Sequence, residues 1–325
     1  MKSLTKPEEG NQTSVTEFII FGFRNLPQLQ ILLFLLFLVI YIVTMVGNLL
    51  VVLLVVIDEH LHTPMYFFLG NLSCLETAYS STILPRMLAS LLTEDRAISL
   101  SGCIAQLYFF GLLATTECYL LAVMSYDRYL AICKPLHYAT LMRGSSCLLL
   151  VAVSWISGSL ASAIMIGLIS QLTFCGPNHI DHFFCDFTPL TKLSCSDTQV
   201  VVQVAITLGS IDTLPPFLIT LTSYIYIISS ILRIPSSTGR QKAFSTCSSH
   251  LAVVACFYGS LAIVYVLPNP TTVKDLKKFF SVFYTILTPM FNPLIYTLRN
   301  REVHKALKKN VLKYLVSIKI RKTTY

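Results

Sequence analysis

The chain has 325 residues, of which 54% are apolar and only 12% charged, with a mean hydropathy of +0.68. A soluble domain carries about 25% charged residues, so a water-facing globule is excluded and the composition assigns the chain to a membrane; seven spans of about 20 to 25 residues would use about 140 to 175 positions and leave no room for a large soluble domain. In a soluble protein the net charge of +8 would suggest a nucleic-acid partner, but here the basic residues gather at the edges of apolar stretches, and no nucleic acid is expected.

In chain order, Asn11, Gln12 and Thr13 form a glycosylation sequon. Polar Met1 to Glu17 lacks the apolar run of a cleaved signal peptide, so the first span, within the uncharged stretch Asn25 to Ile57, is expected to act as an uncleaved anchor. A second span runs from Pro64 to Leu88 and contains Glu76 and Arg86; a third, from Ala97 to Leu130, contains Glu117. Asn71 also heads a sequon but lies inside the second span, out of reach of a glycosyl transferase. The uncharged stretch Gly144 to Ile180 exceeds one span, which places the fourth at Ser145 to Leu168 and leaves an outer loop behind it. The fifth, Val200 to Leu232, carries Asp212 and the pair Pro215 and Pro216, whose missing amide hydrogens should bend the helix. The sixth, Ala243 to Leu267, ends at Pro268, Asn269 and Pro270, and the seventh is Phe279 to Leu298. From Arg301 to Leu315, Val303, Leu307, Val311 and Leu315 recur four apart with lysines between, the pattern of an amphipathic helix on a membrane face.

These elements describe an all-α membrane protein: a seven-transmembrane helix bundle over 25–298, preceded by an extracellular tail, 1–24, and followed by a short amphipathic C-terminal helix and cytoplasmic tail, 299–325. Orientation follows from basic residues. With the C-terminus inside, the inner segments hold 15 Lys and Arg against four acids, whereas the outer segments hold nine of each. Asp58 and Glu59, at the inner end of the first span, run against that tally.

Cys103, Cys175, Cys185 and Cys195 fall on the outer side, where four cysteines permit three pairings, while the other six lie in spans or on the reducing side. His179, Asp181, His182, Cys185 and Asp186 contain metal-ligating residue types without ligand spacing, and read as polar loop surface. No GxSxG, HExxH or GxxxxGK[ST] motif occurs, so no enzyme is expected. A multi-span transporter is the alternative, though neither a repeated half nor paired broken helices support it.

Asp127, Arg128 and Tyr129 stand at the inner end of the third span, in company with Gly47 and Asn48 in the first, Glu76 in the second, and Asn292, Pro293 and Tyr296 in the seventh. Together these resemble a rhodopsin-type G-protein-coupled receptor. LHTPMYFFL (Leu61 to Leu69), MSYDRYLAIC (Met124 to Cys133), KAFSTCSSHL (Lys242 to Leu251) and PMFNPLIYTLR (Pro289 to Arg299) resemble the odorant receptor family more narrowly, and the likeness runs from Glu17 to Asn300. The outer-loop spacing around HFFCD (His182 to Asp186) resembles the family's larger, volatile-ligand (class II) division.

The resemblance implies disulfides Cys103 to Cys185 and Cys175 to Cys195, a small volatile odorant as ligand, a stimulatory olfactory-type G protein raising cyclic AMP, and a plasma-membrane location, in olfactory cilia, with a trafficking chaperone as a further partner. It places the ligand in the outer half of spans three, five, six and seven, where an apolar cavity with a few polar groups is expected. The candidates at helical spacing are Phe110, Gly111, Ala114 and Thr115; Leu208 and Asp212; Leu261 and Tyr265; and Val282 and Thr285. Asp212 has two readings, a contact for a cationic odorant or a hydrogen-bonded structural acid. Glu76 and Glu117 resemble the family's paired central acids and would share a proton or a sodium ion, no other cofactor or metal being expected. Activation would free Arg128 from Asp127, bring Tyr224 towards it and involve Tyr258, while Lys242, Ser245, Thr246, Ser248, Ser249 and His250 would border the G-protein cleft.

Overall fold

The computed structural model describes residues 15–23, 27–93, 95–175, 177–266, 274–299 and 302–310; within them, the side chains at 27, 242, 243, 245, 246, 249, 265, 266, 274–276 and 296–299 are outside the description. Asn11 therefore lies outside the described residues, as do the side chains of Lys242, Ser245, Tyr265 and Tyr296.

Helices α1 (Gln30–Ile57), α2 (Pro64–Thr93) and α3 (Leu100–Cys133) follow a short strand, β1 (Glu17–Ile20). Strand β2 (Ala97–Ser99) lies between α2 and α3. Next come a short α4 (Pro135–Leu141), α5 (Gly144–Ile169), strand β3 (His179–Ile180), a one-turn α6 (Phe187–Thr191) and α7 (Gln199–Leu232). Helix α8 (Ser237–Leu261) continues through a π-helical turn (Ala262–Val266); α9 (Lys274–Val282) runs through another (Phe283–Leu287) into α10 (Thr288–Arg299), and α11 covers 302–310.

Local chemistry sets several of these ends. Ser99 Oγ accepts the Gly102 amide at 3.1 Å and Ser236 Oγ accepts the Gly239 amide at 3.1 Å, each satisfying a first-turn donor that has no partner within the helix. The third span thus begins at Leu100, not at the expected Ala97, because Ala97 to Ser99 are extended in β2. The second reaches Thr93, the sixth is helical from Ser237 and the seventh from Lys274, since helices continue past the edge of an apolar stretch. Helix α7 runs through Pro215 and Pro216 without ending.

Helix α3 packs against α2, α5 and α7; α1 packs against α2 and α10, and α8 against α7 and α10. Among the described residues four helices, α1, α3, α5 and α7, are long and apolar enough to cross a membrane by length and composition alone. Large apolar side chains cover the outside of the bundle as well as filling its core. Ile31, Leu53, Leu148, Ile211 and Ile225 are exposed, whereas Thr44, Asn48, Glu76, Glu117, Asp127 and Asn292 are buried, as expected where lipid faces the outside of the bundle.

At one end, the two strand pairings close a three-stranded sheet of order β2-β1-β3, β1 running antiparallel to β2 and parallel to β3. Phe18, fully buried, meets Phe174 edge-on at 5.4 Å between centroids. This sheet ties the segment before α1 to the loop between α5 and α7. The sequence pattern did not reveal it.

Candidate functional site

Three groups of polar and aromatic side chains occupy the bundle axis. At the sheet end, disulfides join Cys103 to Cys185 and Cys175 to Cys195. Gln106, one turn along α3 from Cys103, donates from Nε2 to the Thr82 carbonyl (2.9 Å) and accepts the Cys185 amide on Oε1 (2.9 Å). One buried amide therefore links α2, α3 and the loop. Beneath it Phe110 meets Phe184 of the loop at 4.8 Å, Tyr79 at 5.6 Å and Tyr284 at 6.3 Å. The loop is thus packed directly on the central helix.

His182 is buried and stacks on Phe183 at 4.6 Å. Burial, helped by the nearby Lys278 cation and opposed by Asp181, pushes its imidazole down to about 3, so it is neutral at ordinary pH. Cys185 is in a disulfide and Asp186 accepts the Phe187 amide at 2.8 Å. Among the described residues no group of three or more His, Cys, Asp or Glu is arranged to hold a metal.

Of the expected ligand contacts, Ala114, Thr115, Leu208, Leu261 and Val282 are half-buried, and Phe110 and Thr285 are buried. Thr285 donates to the Ser281 carbonyl at 2.6 Å. At Gly111, a half-buried glycine, a Cβ would lie 2.9 Å from Ser162 Oγ on α5, so α3 and α5 approach closely there. Asp212 Oδ1 accepts from Tyr119 Oη of α3 at 3.2 Å. A separate small cleft, lined in part by Phe21, Phe23, Gln30, Met87, Arg96 and Phe183, lies against α1 and α2 and includes none of these candidates.

In mid-bundle, Asn48 donates to the carbonyls of Thr44 and Pro289, each at 3.1 Å, and Asn292 Nδ2 donates to Glu76 Oε1. Gly47 allows α1 to approach α10, since a Cβ would lie 3.1 Å from the Pro293 ring. Both carboxyl oxygens of Glu117, with Asn48 Oδ1, Asn292 Oδ1 and Ser80 Oγ, are buried without a hydrogen-bond partner among the described residues. Buried polar atoms are normally satisfied. A set made of oxygen atoms, two of them on a carboxyl group, fits a hard cation or an added proton.

At the far end of α3, Arg128 Nη2 donates to Asp127 Oδ2 at 2.9 Å, and Tyr138 Oη of α4 donates to Asp127 Oδ1 at 2.8 Å. Asp127 is fully buried and both its oxygens are used. Tyr224 of α7 and His250 of α8 share a hydrogen bond of 2.6 Å between Oη and Nδ1, with stacked rings. Tyr129 lies beside Tyr126 at 6.2 Å and Tyr226 at 5.8 Å. Tyr258 Oη donates to the Cys118 carbonyl at 3.2 Å, joining α8 to α3.

A protein family described as olfactory receptor matches residues 37–314. Human olfactory receptor 11A1 is 49% identical over 300 residues, covering 92% of this chain and 95% of its own length. Mouse olfactory receptor 8A1 is 52% identical over 301 residues, covering 93% and 97% respectively. The chain belongs to the olfactory receptor family. The crystal structure of squid rhodopsin aligns with a TM-score of 0.69 at 16% identity, over 89% of this chain and 87% of that one, which establishes a shared fold.

As an olfactory receptor, the chain is a multi-pass plasma-membrane protein of the G-protein-coupled class and a receptor, not an enzyme. Three of this receptor's polar contacts escaped the sequence reading. The bond between buried His250 and Tyr224 is one. Tyr138 as a second partner of Asp127, and Gln106 as the link to the loop, carry no sequence signal beyond a polar group near a span end.

Proposed function

We propose that this receptor binds small, volatile, largely apolar molecules in the half of the bundle that carries the sheet, and that it activates a stimulatory olfactory-type G protein and so raises cyclic AMP. In this reading, 1–24 is an extracellular tail glycosylated at Asn11, 25–298 is the receptor domain, and 299–325 is cytoplasmic. The site of action is the cilium, reached with a trafficking chaperone. Phe110, Gly111, Ala114, Thr115, Leu208, Leu261, Tyr265, Val282 and Thr285 contribute contacts, and Asp212, already bonded to Tyr119, acts chiefly as a structural acid.

The observation that carries the mechanism is the pair of restraints at the opposite end. Arg128 is held by Asp127, itself gripped by Tyr138, while Tyr224 is held by His250. Ligand that favours a state with these bonds exchanged shifts a pre-existing equilibrium, releasing Arg128 towards Tyr224 and opening a cleft bordered by Tyr129, Lys242 and Ser245. Tyr258 and the Asn292, Pro293, Tyr296 segment transmit the change. Glu76, Glu117 and Asn292 would hold a sodium ion, whose charge offsets that of the carboxylates in the resting state.

Cells bearing a cyclic-AMP reporter and the olfactory-type G protein, exposed to a broad volatile library, should give dose-dependent responses. Those responses should vanish in Arg128→Ala at matched surface expression. Full responses in the variant would overturn the switch, and silence from surface-displayed protein with every class of G protein would overturn the receptor reading.

A further inference from the structure

Asp58 breaks the charge rule of the sequence, as an acid at the end of α1 where the positive-inside tally calls for a base. It is also only 4% exposed, although it lies in the short connection between α1 and α2. A carboxylate is left in such a position only when its oxygens are occupied.

They are occupied from two directions. Oδ1 accepts the His60 amide at 3.1 Å and faces His60 Nδ1 at 3.0 Å, which closes the connection on itself. From α11, 252 positions further along the chain, Asn310 Nδ2 donates to Oδ2 at 3.3 Å and Lys309 Nζ lies 3.6 Å from Oδ1. The same helix turns Val303 and Ala306, both buried, and Leu307 onto the bundle's main apolar cluster. The His60 amide, against the opposing effect of burial and together with the His60 ring and Lys309, holds the Asp58 carboxyl below its ordinary range, so it is ionised at cytoplasmic pH.

Apolar contacts press α11 against the bundle but are not directional. Two donors converging on one fixed carboxylate set its position along its own axis. Asn310 is spent on this contact and on the Ala306 carbonyl at 2.9 Å, whereas Lys305 pairs within the helix with Glu302 at 2.9 Å.

We infer that Asp58 is the seat of the C-terminal helix and that, by fixing α11 across the α1–α2 connection, it positions the face of the receptor that meets the G protein. The coupling part rests on the function proposed above; the seating part does not. Asp58 is a positioning residue. It is neither one of the proposed ligand contacts nor a member of the Arg128 switch.

The test compares full-length wild type, Asp58→Asn, Lys309→Met and the double variant, purified in nanodiscs. Asp58→Asn keeps the size of the side chain and an oxygen for the His60 amide, so the connection folds, but it removes the charge and one acceptor facing α11. Amide hydrogen exchange across 302–310 should quicken about tenfold in Asp58→Asn, the loss of one charge-assisted contact, and severalfold in Lys309→Met. In the double variant it should be no faster than in Asp58→Asn alone, since the partner is already gone. Exchange in α3 and α5 should not change.

With an equimolar mixture of aliphatic alcohols, aldehydes, ketones and esters as stimulus, nucleotide exchange on the stimulatory heterotrimer should fall severalfold in Asp58→Asn. Thermal midpoints should stay close to wild type. Unchanged exchange across 302–310 in Asp58→Asn, or additive effects of the two substitutions, would overturn the seat. Quicker amide exchange with undiminished nucleotide exchange would overturn its part in coupling. Wild type that gives no stimulated nucleotide exchange, while its amides still answer to Asp58, would instead count against the receptor reading.

Discussion

Among the described glycines, Gly158 of α5 leaves the least room for a side chain, and Gly158→Ala is a sharp test of the packing. A Cβ at this position would lie 2.5 Å from the Leu112 carbonyl oxygen and 2.5 Å from Thr116 Oγ1, with the Thr116 amide nitrogen at 3.3 Å. Neither oxygen can give way. The first is backbone, and Thr116 Oγ1 is pinned by its bonds to the carbonyls of Leu112 (2.7 Å) and Ser154 (3.4 Å). Helices α3 and α5 must therefore separate by roughly 1 Å, an overpacking that costs about 3 kcal/mol, the upper end of the usual range. Alanine's better helix propensity returns about 1 kcal/mol, leaving a net loss of about 2 kcal/mol and a fall of about 4 to 6 °C in the midpoint. Trp155, the single tryptophan of the chain, lies one turn away on α5 and reports the transition by its fluorescence. Gly209→Ala on α7 is the control, because nothing lies within 4 Å of its Cβ position; it should be neutral or slightly stabilising. An unchanged midpoint for Gly158→Ala, or an equal fall for Gly209→Ala, would refute the argument.

Serine pairs at the two disulfides should differ in effect, because the Cys103 to Cys185 link closes 82 residues and the Cys175 to Cys195 link closes 20. Chain entropy puts the losses at about 4.5 and about 3.3 kcal/mol, and a reversed order of thermal midpoints would count against that account. If sodium binds among Glu76, Glu117 and Asn292, each tenfold rise in sodium above its dissociation constant, at constant ionic strength with choline, should add about 1.4 kcal/mol; Glu117→Gln should abolish the dependence, and an equal dependence in the variant would remove the site. His182, depressed to about 3 from 6.5, binds its proton more readily in the unfolded chain. Its contribution to stability is therefore complete above pH 6.5 and is lost as pH falls towards 3. Melting followed from pH 7 to pH 4 should show a decline that His182→Phe reduces, and identical profiles would show that the imidazole is solvated.

The candidate site was legible to different depths. Asp127 and Arg128 could be read as a pair because they are neighbours in sequence, yet Tyr138 and His250, which complete the two restraints, reach their partners only through the packing of α4 on α3 and of α8 on α7. The acid at 58 looked like an exception to the charge rule until α11 brought Lys309 and Asn310 against it. Gly111 was chosen by helical spacing alone, and that it also lies where α3 and α5 approach closely was decided by the packing.

The spans, and with them the membrane character of the chain, follow from sequence alone, because in lipid each helix must satisfy its own backbone and must present apolar side chains over the full thickness of the bilayer. That demand is local and leaves its mark on consecutive residues. The sheet could not be read in the same way: its strands are two to four residues long, too short for alternation to register, and they meet only because the α2–α3 connection and the disulfide-tied loop both lie beside the N-terminal segment. Which buried polar groups meet was likewise decided by tertiary structure. A hydrogen bond between Asn292 and Glu76, 216 positions apart, depends on the facing of two helices within a few ångströms, and hydropathy along one chain carries no information at that scale.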